Sequence, residues 1–235
     1  MKRAFKKVSK EQMKKENWTR EMKLDYYCNI NDEITIATQN RKLGSQVCGL
    51  SMPNKITCDP SVPCFKTCYC SKGNQAYANI YGTYLKNLRL YHEDPEFFDK
   101  ITAYLRYSGY KYMRLFDSGD IPDDNFFKGI IKVCNENKKV KFLMYTKKYY
   151  IVNNFIEQGG EIPKNLKIFF SAWDKEWNDT IPNPYGFSMA YVQFKDDNMK
   201  VDIPEDAFCC QDGTGCCSTC YKCWNTKKDV YFKQH

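Results

Sequence analysis

Histidine is almost missing from this chain, with two in 235 residues, His92 and His235. His92 falls in a helix tail and His235 is the last residue, so the sequence offers no nucleophile–histidine pair for acyl transfer. The glycine-containing stretches lack the Lys-Ser/Thr step of a phosphate cradle, so there is no P-loop. No apolar run approaches bilayer length, and the lysine-rich start has no apolar stretch behind it. Neither membrane insertion nor secretion is expected, which gives a cytoplasmic location. No repeat of fixed period and no low-complexity linker divides the chain, and its length suits one domain.

Cysteine, by contrast, occurs thirteen times. Without an export signal that number points to metal rather than disulfides, and being odd it leaves one thiol over. Cys58, Cys64, Cys68 and Cys70 crowd one short segment that Pro60, Ser61 and Pro63 keep out of regular helix or ladder. Thiolates this close repel one another and oxidise readily unless a metal neutralises them. Neighbouring structural cysteines and a disulfide knot are the competing readings. A second group holds Cys209, Cys210, Cys216, Cys217, Cys220 and Cys223. Its Cys217, Cys220 and Cys223 make the C-x2-C-x2-C run by which a loop wraps an iron–sulfur cluster, with Cys210 or Cys209 as the fourth ligand. Zinc knuckles share the C-x2-C element, and with so little histidine a zinc site here would be all-cysteine. Gly213 and Gly215 supply the free backbone that a tight metal loop needs.

The net charge is +8, and residues 1–23, with nine Lys/Arg against three Glu, hold +6 of it. That basic arm is the expected contact for nucleic acid or another polyanion, with a solvated lysine-rich helix as the plain alternative.

Ser9 with Gln12 three residues on predicts a capped surface helix over 9–23. Alternation over 32–38 predicts a strand, and 47–52 a second one running into the cysteine loop. Residues 74–92 read as a long helix whose apolar face is Tyr77, Ile80, Tyr81, Tyr84, Leu85, Leu88 and Tyr91. Residues 96–108 read as another, stopped by Gly109. Strands at 112–116, 140–145, 166–170 and 188–194 then alternate with helices at 123–136 and 149–158. Such spacing requires parallel strands with crossover helices, an α/β fold of β/α-barrel or doubly wound type. The expected domains are a basic arm (1–23), a barrel-like domain with the cysteine loop (24–204), and an appended cysteine-rich metal-binding segment (205–235).

In such sheets the chemistry gathers where the strands finish. Asp117, Ser118, Gly119 and Asp120 follow one strand, Thr146, Lys147 and Lys148 the next, and Ser171 and Asp174 the one after. Singly each reads as a turn or cap residue. Together they predict a pocket in which Asp117, Asp120 and Asp174 bind a cationic or hydroxyl group and Lys147 holds an anion.

Several of these elements recur in one order: Lys42-Leu43-Gly44, Leu50-Ser51-Met52-Pro53, Cys58, Cys64-x3-Cys68-Tyr69, Lys72-Gly73, Arg114, Ser118-Gly119-Asp120, Tyr145-Thr146, Ser171, Asp174 and Tyr191. They continue through Cys217-x2-Cys220-x2-Cys223-Trp224 to Val230, Phe232 and His235. This order resembles the phage-associated gene product 88 family, which is itself similar to diverged radical S-adenosylmethionine enzymes. The resemblance implies an iron–sulfur protein on a radical-SAM-like β/α barrel, partial or complete, in the cytoplasm of a phage's host. The implied cofactors are one or two [4Fe–4S] clusters and S-adenosylmethionine. The family pattern favours Cys58, Cys64 and Cys68 as ligands, with Cys70 spare. In the radical enzymes a three-cysteine loop leaves one iron open for the cofactor's amino and carboxylate groups. Ser118-Gly119-Asp120 stands where they carry a Gly-Gly-Glu strand end, so Ser118, Gly119 and Ser171 become cofactor-binding candidates.

The resulting expectation is a redox or radical-type enzyme acting on an unknown substrate. Cys58, Cys64 and Cys68 would hold an open cluster, and Cys210, Cys217, Cys220 and Cys223 a closed one. A zinc-stabilised nucleic-acid-binding protein and a non-catalytic iron–sulfur electron carrier are the alternatives.

Overall fold

Short apolar runs alternating with amphipathic helices build a single parallel sheet. The computed structural model describes residues 7–38, 41–196, 199, 201–212 and 215–234. Its strands are β1 (Val47–Leu50), β2 (Tyr112–Leu115), β3 (Lys141–Thr146), β4 (Leu166–Ser171), β5 (Ser188–Gln193), β6 (Phe208–Cys209) and β7 (Val230–Lys233). They pair in parallel, in the order β1-β2-β3-β4-β5-β7-β6, as a half-barrel. The expected α/β class with parallel strands is therefore present, and β1 and β6 are the two open edges among the described residues.

The longer helices are α1 (Lys10–Lys15), α2 (Arg20–Asn29), α5 (Ala78–Glu93), α6 (Phe97–Ser108), α7 (Asp124–Glu136) and α8 (Tyr149–Glu157). Single turns form α3 (Asn54–Thr57), α4 (Cys64–Thr67), α9 (Lys175–Asn178), α10 (Cys217–Cys220) and α11 (Lys222–Asn225). Among the described residues no helix is long and apolar enough to cross a membrane.

α6, α7 and α8 cover one face of the sheet where the sequence predicts them. Phe97, Ile101, Leu105, Phe126, Phe127, Ile130, Ile151 and Val152 pack there on Met113, Leu115, Phe142 and Met144. Each such side chain contributes about 1.5–3 kcal/mol by leaving water. Asp123 caps α7 by accepting from Phe126 N at 2.8 Å, and Gly109, at φ 73°, ends α6.

Four expectations need correction. The helix over 9–23 is two helices: Ser9 caps α1, Asn17 turns left-handed at φ 51°, and Thr19 caps α2 anew. Residues 32–38 make only one bridge, Ala37 to Gly49, because Asn87 takes up their backbone instead. Its side chain accepts from Thr35 N at 2.8 Å and donates to Thr35 O at 2.9 Å and to Ser51 O at 3.1 Å. The same contacts explain why α5 buries Gly82, Lys86, Asn87 and Leu90 rather than its tyrosine stripe: α2 lies on Gly82, and Lys86 donates to Asn31 Oδ1 at 2.8 Å. The cysteine-rich C-terminal stretch, expected as an appendage, is woven into the sheet. β7 enters between β5 and β6, and Cys223, Trp224 and Val230 pack on Leu43, Val47, Leu143, Phe169 and Ala190 across the second face.

Candidate functional site

Two groups of cysteines meet this sheet at different places. The first follows β1. Pro53 opens α3, which ends at Cys58, and Asp59 then closes a turn by accepting from Ser61 N at 2.9 Å. α4 opens at Cys64 and stops at Cys68, so this stretch includes a helical turn the prolines had argued against. Cys58, Cys64 and Cys68 are half-buried, and each is an electrostatic neighbour of the other two. Burial pushes the Cys58 and Cys64 thiols up, while the nearby Lys147 charge pulls the other way. Cys68 differs. A hydrogen bond from Cys70, together with the Asn54 amide at 3.3 Å and Lys55, brings it down to about 6. Cys70 is buried between Cys68 and the Asp117 carbonyl oxygen, 3.3 Å from the latter, so it backs the group rather than joining it.

The loop after β2 locks this arrangement. Asp120 is 6% exposed and accepts from Thr146 Oγ1 at 2.6 Å and from the backbone N–H groups of Ile121 and Lys147, both at 2.8 Å. Its own N–H donates to Thr57 Oγ1 at 3.0 Å. Burial pushes the Asp120 carboxyl up, against those hydrogen bonds and Lys147. Asp120 thus ties together the loops after β2 and β3 through its carboxylate and the loop after β1 through its own N–H. Gly119, at φ 80°, lets the loop pass so close that a Cβ would lie 2.5 Å from Met52 O. Ser118 is buried, its carbonyl accepting from Met52 N at 2.9 Å and its hydroxyl beside the Cys70 thiol.

Lys147, near Cys58 and Cys64, holds its ammonium 5.7 Å from the Trp173 ring centre. Ser171 accepts from the Tyr149 hydroxyl through its carbonyl, and Asp174 caps α9 by accepting from Trp177 N at 2.8 Å. The structure therefore gathers Asp120 and Lys147 with Cys58, Cys64 and Cys68. Ser171 reaches them through Tyr149, an electrostatic neighbour of Asp120 and Cys64. Asp174 does the work of a helix cap.

The second group lies against the other face of the sheet. Cys210 is an electrostatic neighbour of Cys217, Cys220 and Cys223, and also of Cys209, whose thiol stands 3.7 Å from Gln211 Oε1. Cys216 is turned toward Gly44, where any Cβ would collide with it and with Ser218. Gly213 lies outside the described residues, as does His235. Facing these thiols are Arg114 from β2, Tyr145 from β3 and Lys42. Burial works against the Arg114 charge, but Asp117, 2.8 Å away through Oδ1, together with Tyr145, Tyr69 and Cys217, outweighs it and keeps the guanidinium protonated. Arg114 also lies 5.1 Å from the Tyr145 ring centre, and the Tyr145 hydroxyl stands beside Cys223, whose thiol burial raises to about 11. Asp117, expected with Asp120, belongs to this second site. Arg114 had a readable signal, a charge in the middle of an otherwise apolar strand. Tyr145 had none.

All thirteen cysteines are free thiols, so the disulfide-knot reading is set aside. Among the described residues no group of three or more His, Cys, Asp or Glu side chains is placed to hold a metal ion. As donors, thiols with a cation beside them are of the type that takes a soft metal, and closing such a loop on its metal is commonly coupled to folding. Comparison with curated proteins and with solved structures gives no match. The family model described as Gene product 88 matches residues 26–226. The chain belongs to the gene product 88 family.

Proposed function

We propose that the chain is an iron–sulfur protein with a redox or radical-type activity. Cys58, Cys64 and Cys68 would hold an open cluster, and Cys210, Cys217, Cys220 and Cys223 a closed one. The observation that carries this reading is that Cys58, Cys64 and Cys68 are electrostatic neighbours of one another, with Cys70 hydrogen-bonded behind Cys68, and that Cys210 is a neighbour of Cys217, Cys220 and Cys223. A bound cluster would supply electrons to whatever occupies its open position. Lys147 gives that position a cation suited to a carboxylate or phosphate, and the loops tied by Asp120 keep it in place. S-adenosylmethionine is the finer reading for the occupant. Support comes from the three-thiol count, while the full carboxylate of Asp120 favours a positioning role over contact with an amino group.

The test is anaerobic iron, sulfide and zinc analysis of the full chain, with Cys220→Ser and Cys134→Ser beside it. The expected protein is brown, absorbs near about 400 nm, and loses one cluster's iron in Cys220→Ser. Cys134, fully buried in α7 within the core, should change stability without changing iron. A colourless protein with stoichiometric zinc favours the zinc-stabilised alternative, and equal iron in all three overturns the ligand set. A spectrum that shifts on adding S-adenosylmethionine supports the finer reading, and an indifferent one supports an electron carrier.

A further inference from the structure

The break that splits the N-terminal segment into α1 and α2 shapes a groove between these helices and the start of α5. Its volume is about 680 Å³, and it is lined by Lys10, Lys14, Arg20 and Lys23 together with Trp18 and Tyr77, with no carboxylate among its lining residues. The groove is built into the fold. Met13 of α1 is buried, Arg20 donates to Ala76 O at 2.8 Å, and Trp18 is held edge-on by Tyr26 at 5.6 Å while its indole N–H donates to Glu16 at 2.8 Å. Tyr77, by contrast, is 58% exposed on the groove wall. Cations alone would suit any polyanion, but cations interleaved with aromatic rings suit phosphates together with unstacked bases. The groove also adjoins the cysteine loop: Arg20 is bonded to Ala76 O, a few residues on from Cys68, and Tyr81, one turn beyond Tyr77, is an electrostatic neighbour of Arg20, Cys58 and Cys68.

We infer that this groove binds single-stranded nucleic acid and directs it toward the Cys58, Cys64 and Cys68 loop. Duplex is disfavoured because its bases offer no free faces to Tyr77 and Trp18. The inference deepens the proposed function by naming a substrate class, and it rests on that reading only for the chemistry at the groove's end.

The experiment is fluorescence anisotropy of the full chain with a labelled single strand of about twelve nucleotides, a length within the range that such grooves cover. The same sequence as a duplex, and polyglutamate as a competitor, are run alongside, and iron is measured on every sample. Four lining cations give an expected slope of log affinity on log salt of about −3, or roughly fifty-fold weaker binding at 200 mM than at 50 mM salt. Lys14→Gln with Lys23→Gln should about halve that slope. Tyr77→Ala should weaken binding about tenfold with the slope unchanged, as loss of stacking requires. No binding at 50 mM salt, duplex bound as tightly as the single strand, polyglutamate competing equally, or affinity indifferent to all these substitutions would each overturn the inference. Normal iron with no strand binding sinks this inference alone. Strand binding by an iron-free protein sinks only the metal reading.

Discussion

Asp120 was expected to touch substrate, and its geometry makes it a clamp instead, a difference that stability can decide. In Asp120→Ala, Thr146 Oγ1, Ile121 N and Lys147 N lose an acceptor at 2.6, 2.8 and 2.8 Å. The Thr146 and Ile121 contacts are buried, whereas that to Lys147 is partly open to water. A buried donor left unmet costs about 1–3 kcal/mol, so the two buried ones together cost roughly 3–5 kcal/mol and the third little. Burial already strains the ionised carboxyl, and removing that strain returns part of the loss, which puts the net near about 3 kcal/mol. In a chain of 235 residues each kcal/mol moves the melting midpoint by about 2–4 °C, so the expected fall is about 6–12 °C. Asp120→Asn keeps the shape and one acceptor oxygen but turns an amide N–H₂ toward Lys147 N or Ile121 N, and should lie between. Thermal melts by circular dichroism on anaerobically prepared protein measure all three. If Asp120→Ala melts within about 2 °C of the parent, the clamp is wrong and the carboxylate is free for chemistry.

Two further substitutions probe the frame around the sites. Gly82→Ala would ordinarily stabilise a helix by about 1 kcal/mol, but its Cβ would lie 2.5 Å from Tyr27 Cβ, so α2 must lift from α5 and the sign reverses to a loss of about 1–3 kcal/mol. Urea denaturation reads the change, and any gain in stability would show that α2 is not seated there. Arg114→Met leaves Asp117 without its cation in a site where both side chains are about a tenth exposed, which should cost about 3–5 kcal/mol. Adding Asp117→Asn should recover most of that loss in the same assay, and simple additivity of the two would refute the pair.

The sheet was legible because its strands are apolar runs of fixed spacing and its covering helices have one greasy face. Periodicity of that kind survives into tertiary structure, as α6, α7 and α8 show. Reading failed where polar groups do the packing. Nothing in the pattern of α5 reveals that Asn87 will hold an extended segment, and its tyrosines form the more persuasive stripe. β6, two residues long, is too short for alternation to register, and β7 stands at the end of a stretch of turn residues. Of the site, the sorting of cysteines into two sets was visible as spacing, since loop chemistry is local. The partition of Asp117 from Asp120 was not. Phe116, at φ 63°, swings the chain so that residues three apart serve opposite faces of the sheet, and no propensity announces a left-handed phenylalanine.

That partition gives Asp117 a double attachment. Its carbonyl oxygen accepts from the Tyr69 hydroxyl at 2.9 Å and lies 3.3 Å from the Cys70 thiol, so its backbone belongs to the first cysteine loop. Its carboxylate belongs to Arg114 and thereby to the surroundings of Cys217 and Cys223. On the proposed reading each anionic cluster has its own cation, Lys147 for the first and Arg114 with Lys42 for the second. Only the second of these cations is itself buried and neutralised by a carboxylate. A buried charge pair has little freedom to reorganise, whereas Lys147, resting near Trp173 at the open strand ends, can follow an incoming anion. On that reading the fixed pair suits a centre that stays closed and the adaptable lysine suits one that exchanges ligands, an argument for the first loop as the reactive one that does not count its thiols.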